Sequence, residues 1–276
     1  MSFELNYINY INDINKNGNI DINKRTGSET KRKFGLDIEL ENCSYVPLLN
    51  SRKLYIKTAA AELAWTLKGE KSTKWLNQYT KIWEPFEDSL GIVESSYGYR
   101  WRKHFGRDQL LGLIKLLKKD PSSRQGVVIA WDAGNDGLVS QGKLKNVPCP
   151  YSFVVNTINN KTNMLVSQRS ADMILGIPYD IMMYSMLNNA ISQSLSTQPG
   201  TLKFSIADAH LYQQFYSIVD KLVQNYKDVS NPWEKEYKSM PIEEIINKPE
   251  KYIETMCKYA KDYNPINNIG RLIPNK

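Results

Sequence analysis

The chain is short of several things, and each shortage excludes a class of protein. Only three of its 276 residues are cysteine: Cys43, Cys149 and Cys257. Odd in number and far apart, they exclude a disulfide framework and point to a reducing compartment. None has metal-ligand spacing, and the chain holds only two histidines, so no metal is expected. No apolar run approaches the roughly 18 residues of a spanning helix. The opening Met1-Ser-Phe-Glu-Leu-Asn lacks the basic-then-apolar pattern of a signal peptide, so no membrane contact and a cytoplasmic location are expected. Repeats and linkers are missing too, and residues 1–276 are read as a single domain, long enough for a well-buried core. A strong charge excess is also lacking. The net charge of +7 comes from 36 basic and 29 acidic residues that are interleaved along the chain. That pattern suits a solvated lysine-rich surface or small anionic ligands, and nucleic acid is not expected as a partner.

What is present gathers in one stretch: Gln168-Arg-Ser-Ala-Asp-Met-Ile-Leu-Gly-Ile-Pro-Tyr-Asp180-Ile, with Pro148-Cys149-Pro150 upstream. Gln168, Arg169, Ser170 and Asp172 are four polar residues in five positions, directly after the apolar Met164-Leu-Val166. Polar groups at the end of an apolar strand line a site, because burying each unpaired would cost roughly 2–7 kcal/mol. Gly176 and Pro178 break the strand, and Ile181 to Leu187 reads as a buried helix with Asp180 at the seam, where an N-cap is expected. Cys149 stands between a polar, turn-rich segment (132–146) and an apolar strand, Tyr151 to Ile158. With Arg169 available from the next strand, this is the setting of a nucleophilic thiol.

The rest of the chain reads as alternating helices and strands, an α/β pattern. Helical spacing marks residues 3–14, Lys57–Lys68 and Asp108–Lys119, the last stopped by Asp120-Pro. Strands are expected over Phe34–Leu40, Val127–Trp131 and from Lys203 into Asp208-Ala-His210-Leu-Tyr212. Glu62 lies near the apolar face of its helix, where it is either paired or catalytic. The aromatic-rich run Trp75–Asp88 suits a core or a cofactor wall. Asp13 to Asp21 imitates a calcium loop, with oxygen ligands at alternate positions and Gly18 sixth. Lys24 at the twelfth position opposes a cation, which favours a plain Asn/Gly turn. From Asn225 onward the periodicity is weak.

Pro-Cys149, Gln168-Arg-Ser-x-Asp-x-x-Leu-Gly-x-Pro-Tyr-x-Ile and Asp208-Ala-His-Leu-Tyr212 together resemble thymidylate synthase and its relatives, the pyrimidine nucleotide hydroxymethylases. Arg25-Thr-Gly, Glu62-Leu-Ala-Trp, Ile82-Trp-Glu, Tyr97-Gly and Asp120-Pro-Ser-Ser-Arg124 fall in the family order, so the resemblance spans about residues 5 to 220. It implies a three-layer α/β sandwich with a mixed sheet, packed sheet to sheet in a homodimer with shared active sites. It implies 5,10-methylenetetrahydrofolate as cosubstrate and a pyrimidine nucleoside monophosphate as acceptor. The matching residues would make Cys149 the nucleophile at C6 of the base and Glu62 the relay for protons and water, with Tyr97 and Asp172 sharing in catalysis. Arg25, Arg169 and, from the partner, Arg124 would bind phosphate. Gln168, Ser170 and Asp180 would bind the nucleotide, and His210 and Tyr212 its sugar hydroxyl. Trp83, Asp172, Leu175, Gly176 and Tyr179 would hold the folate.

Four departures from the synthase pattern matter. Asp180 replaces an asparagine whose amide reads uracil, and a carboxyl there can accept from the 4-amino group of cytosine. Ser95-Ser96 before Tyr97 replaces small apolar residues and proline, as in hydroxymethylases, which must hold a water. Pro150 stands where a histidine is common, and the short apolar C-terminus is not recognisable in Arg271-Leu-Ile-Pro-Asn-Lys276. The expectation is a deoxycytidylate hydroxymethylase of the kind phages use to make modified DNA precursors, in a bacterial or phage-infected cytoplasm. The alternatives are methylation of dUMP or dCMP, hydroxymethylation of dUMP, and a silent nucleotide- or RNA-binding relative.

Overall fold

The structure is a computed structural model and describes residues 3–24, 27–138, 147–226, 233, 235–266, 269 and 272. Arg25 and, in the C-terminal hexapeptide, every residue but Leu272 lie outside the described residues.

In chain order the elements are α1 (Phe3–Asn17), β1 (Asn19–Asn23), β2 (Ser28–Leu40), α2 (Ile56–Lys68), α3 (Tyr97–Tyr99, continued by a wider turn through His104), α4 (Gln109–Lys119), β3 (Val127–Ile129), β4 (Pro150–Ile158), β5 (Lys161–Gln168), β6 (Ala171–Asp172), α5 (Ile177–Leu195), β7 (Gln198–Tyr212), α6 (Tyr216–Asn225), α7 (Ile242–Asn247) and α8 (Pro249–Tyr259). Seven strands form one mixed sheet in the order β1-β2-β7-β5-β4-β3, with β6 pairing beside β7. β5 and β6 run parallel to β7, and the other pairs are antiparallel. A parallel pair needs a crossover, and α5 supplies it between β6 and β7.

The pleat separates two faces. Val128, Phe153, Val166, Phe204 and Ile38 are cross-strand partners in one row, and all are buried. One residue along lies the row Val127, Val154, Leu165, Lys203 and Glu39. Val127 is 50% exposed and Leu165 39%, so this second face stays open. α5 lies on the closed face, where Tyr184 meets Phe153 and Phe204 edge to face at 6.0 and 5.5 Å. No helix among the described residues is long and apolar enough to cross a membrane.

Several boundaries differ from expectation. α1 runs on to Asn17, with Asp13 accepting hydrogen bonds from Asn17 and Lys33. Half of the calcium-loop imitation is therefore helix rather than turn, since its buried Phe3, Tyr7, Ile8, Ile11 and Ile14 keep the helical spacing. The weakly periodic tail contains α7 and α8, which bury Ile242, Ile245, Pro249, Tyr252, Ile253 and Met256. α5 begins at Ile177, four residues before the expected Ile181, with Gly176 as its N-cap and Pro178 in its first turn. Asp180 is thus the fourth helical residue, and its N–H already donates to the Gly176 carbonyl. The capping expectation for Asp180 is overturned.

Candidate active site

Several chain segments meet where β4 begins and β5 ends. Pro150 pairs with Gln168 across the β4–β5 ladder, and the Arg169 N–H donates to the Cys149 carbonyl at 2.9 Å. The ladder therefore sets Cys149 beside Arg169 although 19 residues intervene in the sequence. The Arg169 guanidinium donates from Nε to the Pro148 carbonyl and from Nη2 to the Val147 carbonyl, each at 2.9 Å. The same Nη2 lies 3.6 Å from Cys149 Sγ as a donor. An N–H of a guanidinium aimed at sulfur stabilises negative charge there. The ring of Trp131 lies 5.9 Å from the guanidinium carbon.

Tyr97 approaches from the other side. Its hydroxyl accepts from the Cys149 N–H at 3.1 Å, and burial pushes its own ionisation well above the usual tyrosine range. The position of Tyr97 follows from its neighbour: a side chain on Gly98 would stand 2.0 Å from the Thr66 carbonyl of α2. Only glycine lets α3 close onto α2. Ser96 then donates to the Glu70 carbonyl at 2.7 Å, so its hydroxyl ties two segments together instead of facing a water. Ser95 is buried at 2% exposure.

α2 presents Glu62 to the same cleft. Trp83 Nε1 donates to Glu62 Oε1 at 2.8 Å, and the indole packs 5.6 Å from Trp65 and 5.7 Å from Tyr97. Trp83 is thus a core aromatic and the partner of Glu62 at once. Burial lifts the Glu62 carboxyl to about 7 against the Trp83 hydrogen bond, and the charge of Asp180 pushes it the same way. Asp180, on the first turn of α5, accepts at Oδ2 from Gln168 Nε2 at 3.1 Å. Burial raises it to about 7 against that hydrogen bond, helped by the charge of Asp172. Two half-buried carboxyls that titrate near neutrality share one cleft with a thiol.

Asp172, from β6, folds the loop after it by accepting at Oδ1 from the Ile174 and Leu175 N–H groups, both at 2.8 Å. Burial raises its carboxyl, opposed first by the charge of His210. Gly176 donates to the Asp172 carbonyl, and the Tyr179 hydroxyl accepts from the Tyr55 N–H at 3.2 Å. Ser170 turns its carbonyl to Gln168 Nε2 at 3.0 Å. His210 pairs across the sheet with Asp172 on one side and Arg32 on the other. Its ring stands perpendicular to Tyr212 at 5.2 Å, and Nδ1 is 3.6 Å from Asp208 Oδ1. The second histidine, His104, binds Asp132 at 2.6 Å.

The structure thus brings together Cys149, Arg169, Tyr97, Glu62, Trp83, Gln168 and Asp180 through direct contacts or charge coupling, with Asp172 and His210 alongside. Arg124 is exposed, just ahead of β3. Sequence reasoning passed over three residues. Arg32 forms an ion pair with Asp208 and donates to it from Nε at 3.0 Å. Arg52, 5% exposed, donates to the Ile174 carbonyl at 2.8 Å and so braces the loop after Asp172. Trp131 is the third. A basic run inside a strand, Lys31-Arg-Lys33, was the available signal for Arg32; Arg52 and Trp131 carried none.

A model of the family described as thymidylate synthase matches residues 5–257. Thymidylate synthases of Francisella tularensis subsp. holarctica, from the strains FTNF002-00 / FTA, OSU18 and LVS, are each 32% identical to the chain over 229 residues. Those alignments cover 78% of this chain and 82% of each relative.

Proposed function

The chain belongs to the thymidylate synthase family, and we propose that within it the protein is a deoxycytidylate hydroxymethylase. Like the family, it transfers a one-carbon unit from methylenetetrahydrofolate to a pyrimidine nucleotide. In the proposed reaction dCMP, 5,10-methylenetetrahydrofolate and water give 5-hydroxymethyl-dCMP and tetrahydrofolate. The observation that carries the choice of base is Asp180. It is half-buried, it does not cap α5, and it accepts from Gln168 at a position where the synthase reads uracil with an amide.

C5 of a pyrimidine is too weak a nucleophile until a thiolate adds at C6. Cys149 forms that bond, and the Arg169 N–H beside Sγ steadies its negative charge before attack. The ring then attacks the one-carbon unit from C5; loss of the C5 proton to a base and departure of tetrahydrofolate leave an exocyclic methylene on the base. Water adds to the methylene, and Cys149 is expelled. Glu62, with its carboxyl near 7, can take or return a proton at neutral pH without a large penalty either way. Asp172 and Trp83, with Leu175, Gly176 and Tyr179, form the folate side. Arg169 and Arg25 serve the phosphate, Ser170 the nucleotide, and His210 with Tyr212 the sugar.

Water as the last nucleophile is supported by Ser95 alone, since Ser96 is tied to Glu70. Methylation of the same nucleotide by hydride from the folate is therefore the second reading. It would oxidise the folate to dihydrofolate, whose near-ultraviolet absorbance would rise in step with nucleotide consumed; hydroxymethylation leaves that signal flat. The homodimer is supported by the open sheet face with Val127, Ile129 and Leu165, and by the exposed Arg124 beside it. If Arg124 serves the partner's phosphate, mixing inactive Cys149→Ala and Arg124→Ala subunits restores activity, because one site of the hybrid is whole. No recovery after proven subunit exchange would mean self-contained sites.

The test of the base assignment is kcat/KM for dCMP and dUMP in wild type and Asp180→Asn. A buried carboxylate facing O4 leaves two acceptors unpaired, at about 1–3 kcal/mol, or roughly tenfold to a hundredfold in specificity. Asp180→Asn supplies a donor for O4 and moves the ratio toward dUMP by about that factor. A wild type that prefers dUMP, or a ratio that stays put, removes the assignment.

A further inference from the structure

A neutral carboxyl is an ambiguous reader. One oxygen carries the proton and donates, the other accepts, and the proton can sit on either. Cytosine shows an acceptor at N3 and a donor at the 4-amino group, whereas uracil shows a donor at N3 and an acceptor at O4. By moving its proton from one oxygen to the other, an unconstrained Asp180 in its neutral form would fit both bases. Selectivity between them needs a second group that makes the two oxygens unequal.

Gln168 is such a group. It is 2% exposed, and its Nε2 donates to the Ser170 carbonyl at 3.0 Å and to Asp180 Oδ2 at 3.1 Å. Its Oε1 is buried with no partner among the described residues. Rotating the amide by half a turn would leave Nε2 as the orphan and set Oε1 against the Ser170 carbonyl, oxygen to oxygen. The main chain at Ser170 therefore locks the amide with its donor toward Asp180. A carboxyl oxygen that already accepts an N–H is the carbonyl-like one, and the proton belongs on the other.

We propose that Gln168 is a positioning residue for base selection: its locked N–H keeps Asp180 Oδ2 an acceptor and confines any carboxyl proton to Oδ1. Asp180 then presents donor and acceptor in one order only. This inference rests on the reading of Asp180 as the base reader, and for dCMP the order places Oδ2 toward the 4-amino group and Oδ1 toward N3. Glu62 and Asp172, whose charges face Asp180, affect how readily it is neutral but not which oxygen holds the proton.

Gln168→Met removes the donor at similar length, and Gln168→Leu offers a second variant should the first not fold. In both, the ratio of kcat/KM for the two nucleotides should collapse toward unity by about tenfold or more, because the acid becomes ambiguous again. A purely structural role would lower both nucleotides together and leave the ratio alone. Equal losses, with the ratio within about twofold of wild type, overturn the inference. If wild type prefers dUMP and the ratio still collapses in the variants, the inference holds with the order reversed and the dCMP assignment falls instead.

Discussion

Two sets of carboxyls flank the sheet end, and their environments push them in opposite directions. Glu62 and Asp180 sit among Trp83, Tyr97 and Gln168, with no cation paired to either among the described residues, and burial lifts both to about 7. Asp208, at the β2–β7 ladder, is also lifted by burial, but hydrogen bonds from His210 and Arg32 and the charge of Arg32 outweigh it and hold the group at about 2. The first set can exchange protons at neutral pH, and the second is a fixed charge. Under the proposed function, this difference would put proton traffic on the base side and permanent electrostatic positioning on the sugar side.

The comparison breaks completely if the thiol does not drive the chemistry that Glu62 and Asp180 serve. Cys149→Ala should lose tritium release from C5 of the nucleotide by about 10⁴-fold or more while still binding nucleotide. Release at the wild-type rate would leave these proton-exchanging carboxyls with nothing to do. The next largest effect separates the two sets from each other. Glu62→Gln removes a proton carrier and should lower kcat by roughly 10²–10³-fold. Asp208→Asn removes only a charge partner, and kcat should fall less than about tenfold. Comparable losses in the two variants would erase the distinction.

The smallest effect is on stability, and its sign differs between the sets. Unfolded Asp and Glu release their protons near pH 4, whereas folded Glu62 and Asp180 hold theirs to about 7. Between those limits the folded chain binds more protons, so stability falls as pH rises through the window and is level above it. Asp180→Asn removes its share of that loss and should be more stable than wild type at about pH 8 by on the order of 1–3 kcal/mol. Asp208 is depressed, so its contribution is full above about pH 4 and disappears as pH falls toward about 2. Asp208→Asn should cost on the order of 1–2 kcal/mol at neutral pH and little at pH 2. Thermal unfolding of both variants across pH checks the two signs; the same sign in both would contradict the electrostatic account.

How much of this was readable from residues alone depended on range. α2, α4 and the strands β4 and β7 carry their periodicity in the sequence and were legible, as was the gathering of Cys149 and Arg169, since the Pro-Cys and Gln-Arg-Ser motifs are strand-end chemistry. The start of α5 was not, because Gly176 and Pro178 look like a break although both also begin helices. That misplacement made Asp180 look like a cap. α8 was missed because the residues it buries, Pro249, Tyr252, Ile253 and Met256, are few among polar neighbours. The lock between Ser170, Gln168 and Asp180 could not be read at all, since it depends on which end of an amide faces a main-chain carbonyl.

The most direct test of the central claim is the product itself. Wild-type protein with dCMP and 5,10-methylenetetrahydrofolate should yield a nucleotide heavier by one CH₂O, with no dihydrofolate absorbance. Unchanged dCMP, alongside conversion of dUMP to a methylated nucleotide with stoichiometric dihydrofolate, would contradict it.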